Sequence, residues 1–102
     1  MNYTPDNWVI VKIARPESVV YKVLAGWSGG YLDGNSWRLN SGIVRANREG
    51  DYIIFEGHSG SQYKCHKNTQ RLSGATASIY ESLRQQGEQQ GITVEMVDEF
   101  QG

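Results

Sequence analysis

Apolar residues recur at every second position over most of the stretch from Trp8 to Lys67, as half-buried strands require, and at helical spacing only beyond it. In Asn7–Ala14, Val9, Val11 and Ile13 share one face, because successive strand side chains point to opposite sides. Pro16 and its neighbours turn the chain. A second strand is predicted over Val19–Trp27, where Val19, Tyr21, Val23 and Ala25 alternate with Val20, Lys22 and Leu24 and Lys22 marks the wetter face. A return strand follows from Trp37 to Ala46, with Trp37, Leu39, Ser41 and Ile43 on one side. Asn47–Gly50 reads as a turn closed by the positive φ that Gly50 permits, making a hairpin with Asp51–Glu56. Gly57–Ser61 is a second tight turn into Gln62–Lys67, where Tyr63 and Cys65 alternate with Gln62, Lys64 and His66, and Cys65 faces the core. Between the second strand and the return strand, Gly26–Gly42 holds five glycines and two tryptophans, and is expected to be a long loop folded down by its aromatics.

After Lys67 the period changes. Leu72, Ala75, Ile79 and Leu83, with Tyr80 beside them, form an apolar stripe along a helix centred on Ile79. Thr69 or Ser73 suits its N-cap, and Gly87 its left-handed C-terminal position. Ile92–Val97 reads as a last short strand and Asp98–Gly102 as a frayed acidic end. The stripe needs an apolar surface to cover, and a meander with one wet face supplies it. The predicted fold class is therefore α+β: an antiparallel β meander, as a curled sheet or a small barrel, with one amphipathic helix and a final short strand.

Composition narrows this picture. At 102 residues the chain fits a single domain spanning residues 1–102, and its 11% aromatic content speaks for a folded core. Cys65 stands alone, so neither an internal disulfide nor a cysteine zinc cluster can form. No apolar run approaches the ~20 residues of a membrane-spanning helix, and no charged-then-apolar leader opens the chain. A cytoplasmic protein without a membrane partner is expected. The net charge of −1 hides an asymmetry: Lys12–Arg71 carries nine basic against five acidic residues, whereas Leu72–Gly102 carries Arg84 against five acids. That balance argues against general duplex binding and leaves room for a local positive patch.

The familiar catalytic patterns are missing. His58 and His66 are the only imidazoles, no Gly-x-Ser-x-Gly elbow occurs, and no Walker or dinucleotide-binding glycine motif follows a strand. No catalytic residue, metal ligand or cofactor is assigned, and the chain reads as a non-enzyme. What stands out is two Gly/Ser-rich segments with aromatics and cations close by. The candidate ligand-binding set is Trp27, Ser28, Gly29, Trp37, Arg38 and Asn40 from the first, with His58, Ser59, Lys64 and His66 from the second. Glycine lets backbone N–H groups approach an anion, Ser and Asn add hydrogen bonds, Trp offers a stacking face, and Arg38 can fork onto phosphate. The same composition suits tight turns around a small sheet, with Trp27 and Trp37 plugging core ends and Lys64 and His66 protecting a strand edge.

The run Tyr21–Tyr31 (YKVLAGWSGGY), continued by Ser36–Ile43 (SWRLNSGI), Gly57–Ser61 (GHSGS) and Tyr63–Lys67 (YKCHK), resembles a family of small proteins encoded by bacteriophages and prophages. The resemblance covers the first two-thirds of the chain and implies a phage accessory protein acting in the host bacterial cytoplasm, where counter-defence by sequestering signalling nucleotides is one such role. It transfers no catalytic residue. The favoured reading is a non-catalytic binding protein that grips a nucleotide-like small molecule or inhibits a host protein. The alternatives are a nucleic-acid-binding accessory module, using the same aromatics on an exposed sheet, and a structural or assembly protein of the phage particle. Edge strands and a limited core make a homodimer the expected assembly.

Overall fold

The structure, a computed structural model, describes residues 1–30 and 34–101. In chain order the elements are β1 (Asn2–Tyr3), β2 (Asn7–Arg15), β3 (Ser18–Gly30), β4 (Gly34–Leu39), β5 (Ile43–Glu49), β6 (Tyr52–Gly57), β7 (Gln62–His66), a 3-10 turn (Lys67–Thr69), α1 (Gly74–Gln89) and β8 (Thr93–Val97). They form three layers. One antiparallel sheet has the order β4-β3-β2-β8; its outer face carries α1, and its inner face packs on a second sheet of order β1-β7-β6-β5. In the second sheet β1 runs parallel to β7 and the other pairs are antiparallel. Neither sheet closes into a barrel, and the α+β class of the sequence pattern holds.

The layering explains why β2 is apolar at consecutive positions. Val9 and Val11 join Leu24 and Val94 beneath the helix, while Trp8 and Ile10 join Val23, Ala25, Ile43, Phe55, Tyr63 and Cys65 between the sheets. A central strand covered on both faces must be hydrophobic on both. Cys65 is fully buried, as its alternation predicts. On the helix side, Leu72, Ile79, Tyr80 and Leu83 pack against the first sheet. Ser73 caps α1 with a capping box, its side chain and that of Thr76 each accepting the other's backbone N–H.

Four expectations are corrected. The glycine-rich segment from Gly26 is not a loop: β3 and β4 pair across it, Gly26 opposite Trp37 and Trp27 opposite Ser36, with a register shift before Gly30 opposite Gly34. Tyr31, Leu32 and Asp33 of that segment lie outside the described residues. The return strand Trp37–Ala46 breaks at Asn40–Gly42, because Asn40 fastens the end of β4 to Val23. Its Oδ1 accepts the Val23 N–H at 2.9 Å and its own N–H donates to the Val23 carbonyl at 3.0 Å, after which the chain crosses to the second sheet. Gly87 does not cap the helix. It is buried inside α1, where a Cβ would stand 2.7 Å from the Ile92 carbonyl oxygen, and the left-handed turn falls on Gly91 at φ 72°. Asp98–Phe100 of the acidic end is not frayed either: Phe100 packs on the inter-sheet core and meets Tyr21 edge-on at 5.4 Å, and the Gln70 side chain donates to the Asp98 carbonyl at 3.0 Å, while Gly102 lies outside the described residues.

Candidate functional site

The ten residues singled out by sequence fall into three clusters, with Trp37 apart. The first lies on the outer face of the second sheet. Ile53, Phe55, Tyr63 and Cys65 point inward, so alternation sends Tyr52, Ile54, Lys64 and His66 outward. Tyr52 pairs with His66 and Ile54 with Lys64. The Lys64 ammonium sits 4.7 Å from the centre of the Tyr52 ring, and the His66 imidazole meets the same ring edge-on at 5.0 Å. His66 Nδ1 accepts the Asn68 N–H at 3.1 Å, so the neutral ring carries its proton on Nε2 and offers it as a donor. The Trp8 indole N–H donates to the His66 carbonyl at 2.8 Å and ties this edge to the core. Arg45 pairs with Glu56 and Lys67 with Asp51, each at 3.3 Å. Lys64 has no carboxylate within ion-pair distance among the described residues.

The second cluster is the corner where the β6–β7 turn meets the β4–β5 crossing. The His58 N–H donates to the Gly42 carbonyl at 2.9 Å and the Ser59 N–H to Ser41 Oγ at 3.0 Å. The Ser59 hydroxyl lies 3.3 Å from that of Ser41 and 3.5 Å from that of Ser61. Asn40 is buried beside them. The Val23 N–H fixes its Oδ1, and its Nδ2 has no acceptor among the described residues. Gly57 makes the close approach possible, since a Cβ there would stand 3.1 Å from both Asn40 Nδ2 and Ser41 Oγ.

The third cluster closes one end of the inter-sheet layer. Tyr3 stacks on Tyr63 at 4.9 Å, meets Trp27 edge-on at 6.1 Å, and lies under the Arg38 guanidinium at 4.7 Å. The Trp27 indole N–H donates to the Thr4 carbonyl at 3.0 Å. The Ser28 N–H, of the kind an anion would take, donates to the Asp6 carboxylate at 2.9 Å. Burial pushes the Tyr63 phenol up from its ordinary value, against the opposing pull of Arg38. Gly29 lies in β3 beside the undescribed Tyr31–Asp33. Trp37 is half-exposed and shares the helix-facing side of β4 with Leu39, opposite to Arg38.

The structure thus brings Asn40, His58 and Ser59 together, Lys64 and His66 together, and Trp27, Ser28 and Arg38 to the edge held by Tyr3 and Asp6. It does not bring Lys64 to Arg38: Lys64 projects from the outer face of β7, whereas Arg38 covers Tyr3, the stacking partner of the inward Tyr63. Sequence reasoning missed Tyr52, the ring on which Lys64 and His66 converge, and Ser41 and Ser61, which complete the hydroxyl chain. A period-two count over Asp51–Glu56 would have placed Tyr52 opposite the core-facing Ile53 and Phe55. Tyr3 carried no such signal.

Among the described residues no group of three or more His, Cys, Asp or Glu side chains could hold a metal ion, and no helix is long and apolar enough to cross a membrane. The chain matches no protein-family model, no curated protein and no solved structure.

Proposed function

We propose that the protein is a non-catalytic binding module that takes a nucleotide-like anion on the outer face of its β5–β7 sheet. The observation that carries this reading is Lys64: a cation free of any carboxylate partner among the described residues, held over Tyr52 with the His66 imidazole on the same ring. Lys64 and the His66 Nε2–H supply donors to a phosphate, Tyr52 supplies an apolar ring, and the Ser41–Ser59–Ser61 hydroxyls lie at the turn end of the same β6–β7 hairpin. A non-catalytic role is supported by the nucleophiles' surroundings. Burial pushes the Cys65 thiol far above its ordinary value, and the Ser59 hydroxyl faces other hydroxyls. In the setting implied by the likeness to phage accessory proteins, such a module sequesters a nucleotide-like signalling molecule in the host cytoplasm.

The test is titration of the protein with mono-, di- and cyclic nucleotides, followed by amide chemical shifts. Shifts centred on Tyr52, Lys64 and His66 are expected. Lys64→Ala should weaken binding by about 1.5–3 kcal/mol, the cost of losing a charged hydrogen-bond partner. Affinity that appears only with single-stranded oligonucleotides, and grows with their length, would favour the nucleic-acid module instead. Silence of this face toward both ligands would sink the proposal.

A further inference from the structure

The other end of the inter-sheet layer is stoppered by the segment after β8, and the stopper fits loosely. Phe100 packs against the core between the sheets and on the Tyr21 ring. Beside it a cleft of about 220 Å³ stays open, floored by Ile10, Ala46, Ile53 and Phe55 and rimmed by Arg48. On the far side of the same segment a second cavity of about 410 Å³ is lined by Lys12 and Tyr21. Asp98 and Glu99 border both cavities, so the segment lies as a strap between two open spaces. Its carboxylates make no ion pair with either cation, and Lys12 makes none with Glu95, its cross-strand neighbour on β8. Among the described residues, direct fastening consists of the Phe100–Tyr21 contact, the apolar packing of Phe100 and the bond from Gln70 to the Asp98 carbonyl.

From this we infer that the cleft rimmed by Arg48, continuous with the Lys12 cavity once the strap lifts, is a docking site for a partner protein's acidic–aromatic segment, one or two carboxylates followed by a phenyl ring, and that Asp98–Phe100 is its displaceable occupant in cis. The partner's chemistry follows from complementarity: Arg48 at the rim of the cleft and Lys12 in the cavity across the strap select acidic residues, and a floor of aliphatic side chains and Phe55 selects a ring. The sequence Asp98-Glu99-Phe100 already has that order. A tethered occupant competes at high effective concentration, so the site binds weakly until the strap is loosened. The site is separate from the outer face that carries Tyr52, Lys64 and His66, and the two readings fail independently.

The probe is a fluorescent peptide of residues 97–102 and its counterpart with Ala in place of Phe100, each titrated into wild-type protein and variants. Phe100→Ala should bind the first peptide at least tenfold more tightly than wild type, and a further Arg48→Glu should cancel the gain. Glu99→Lys, which repels the strap from Arg48 and Lys12 but keeps the Phe100 plug, should raise affinity in the same direction and carries the test if Phe100→Ala lowers the melting temperature too far. Equal affinity of wild type and both loosened variants would overturn the inference, as would indifference to the peptide's phenyl ring. A wild-type dimer in sedimentation that Phe100→Ala abolishes would assign the cleft to a second copy of this chain and overturn it too.

Discussion

Gly87→Ala should destabilise the protein even though it replaces a helix-interior glycine. In isolation the change favours the helix by about 1 kcal/mol, because alanine surrenders less backbone freedom on folding. At this position the added methyl stands 2.7 Å from the Ile92 carbonyl oxygen and 3.0 Å from a methyl of Val94. The first neighbour is backbone, tied back to the helix through the Ile92 N–H donating to the Gly87 carbonyl at 2.8 Å, and the second is a buried residue of β8, which is itself paired along β2. Relief therefore requires moving β8 relative to α1, and overpacking of that kind costs about 1–3 kcal/mol or more. Set against that propensity gain, the clash leaves a net loss of up to about 2 kcal/mol, which at ~4–8 °C per kcal/mol is a fall of up to roughly 16 °C in melting temperature. Gly74→Ala is the control. The same substitution in the first turn of α1 meets nothing within 4 Å, so it should be neutral or stabilise by up to about 1 kcal/mol. Urea unfolding followed by circular dichroism measures both, and the comparison holds where the m-value is unchanged. A Gly87→Ala variant as stable as Gly74→Ala would mean that α1 and β8 do not approach as described.

Two further outcomes separate scaffold from site. Arg38→Ala removes a cation from the face of Tyr3 and should cost about 0.5–1 kcal/mol of stability while leaving nucleotide affinity at the outer sheet unchanged, as paired thermal melts and titrations will register. Because burial raises the Cys65 thiol in the folded state, the unfolded chain loses that proton first. Stability should therefore be complete below ~8.5 and fall as pH rises above it, with Tyr63 adding a loss of the same sign above ~10. Urea midpoints at pH 7 and 9.5 check the slope, which Cys65→Ala should flatten.

The elements that sequence makes legible are those whose pattern is local. Trp8–Ile13, Tyr52–Phe55 and Tyr63–Cys65 announce strands by alternation or continuous apolarity, and Ala75, Ile79 and Leu83 announce α1 by spacing, whereas Leu72 of the same stripe precedes the helix. What stayed hidden depends on partners distant in the chain. Nothing in Asn2–Tyr3 marks a strand until β7 lies beside it, and Asn40 looks like one more polar residue in a strand until its amide meets Val23. Gly87 and Gly91 both stand near the helix end, and only the approach of Ile92 distinguishes the one that must lack a side chain from the one that must turn left-handed. The candidate site divides the same way. Lys64 and His66 were legible as a cation and a donor on one strand face, but Tyr52 joins them through cross-strand register. Arg38 was legible as a cation, and its commitment to Tyr3 was not.

The two aromatic stoppers of the inter-sheet layer, Tyr3 at one end and Phe100 at the other, are far apart in the sequence, and β2 takes β8 as its edge neighbour from almost as far away. Loop closure over such separations must precede the contacts that reward it, so the rate of folding is governed by a search and not by helix growth. A chain still emerging from the ribosome can assemble the β5–β6 and β6–β7 hairpins early, yet it holds an unsealed apolar layer until β8 and Phe100 have followed. The interval between those events is when the inter-sheet face of Trp8, Ile10 and Phe55 is open to chaperones or to its neighbours.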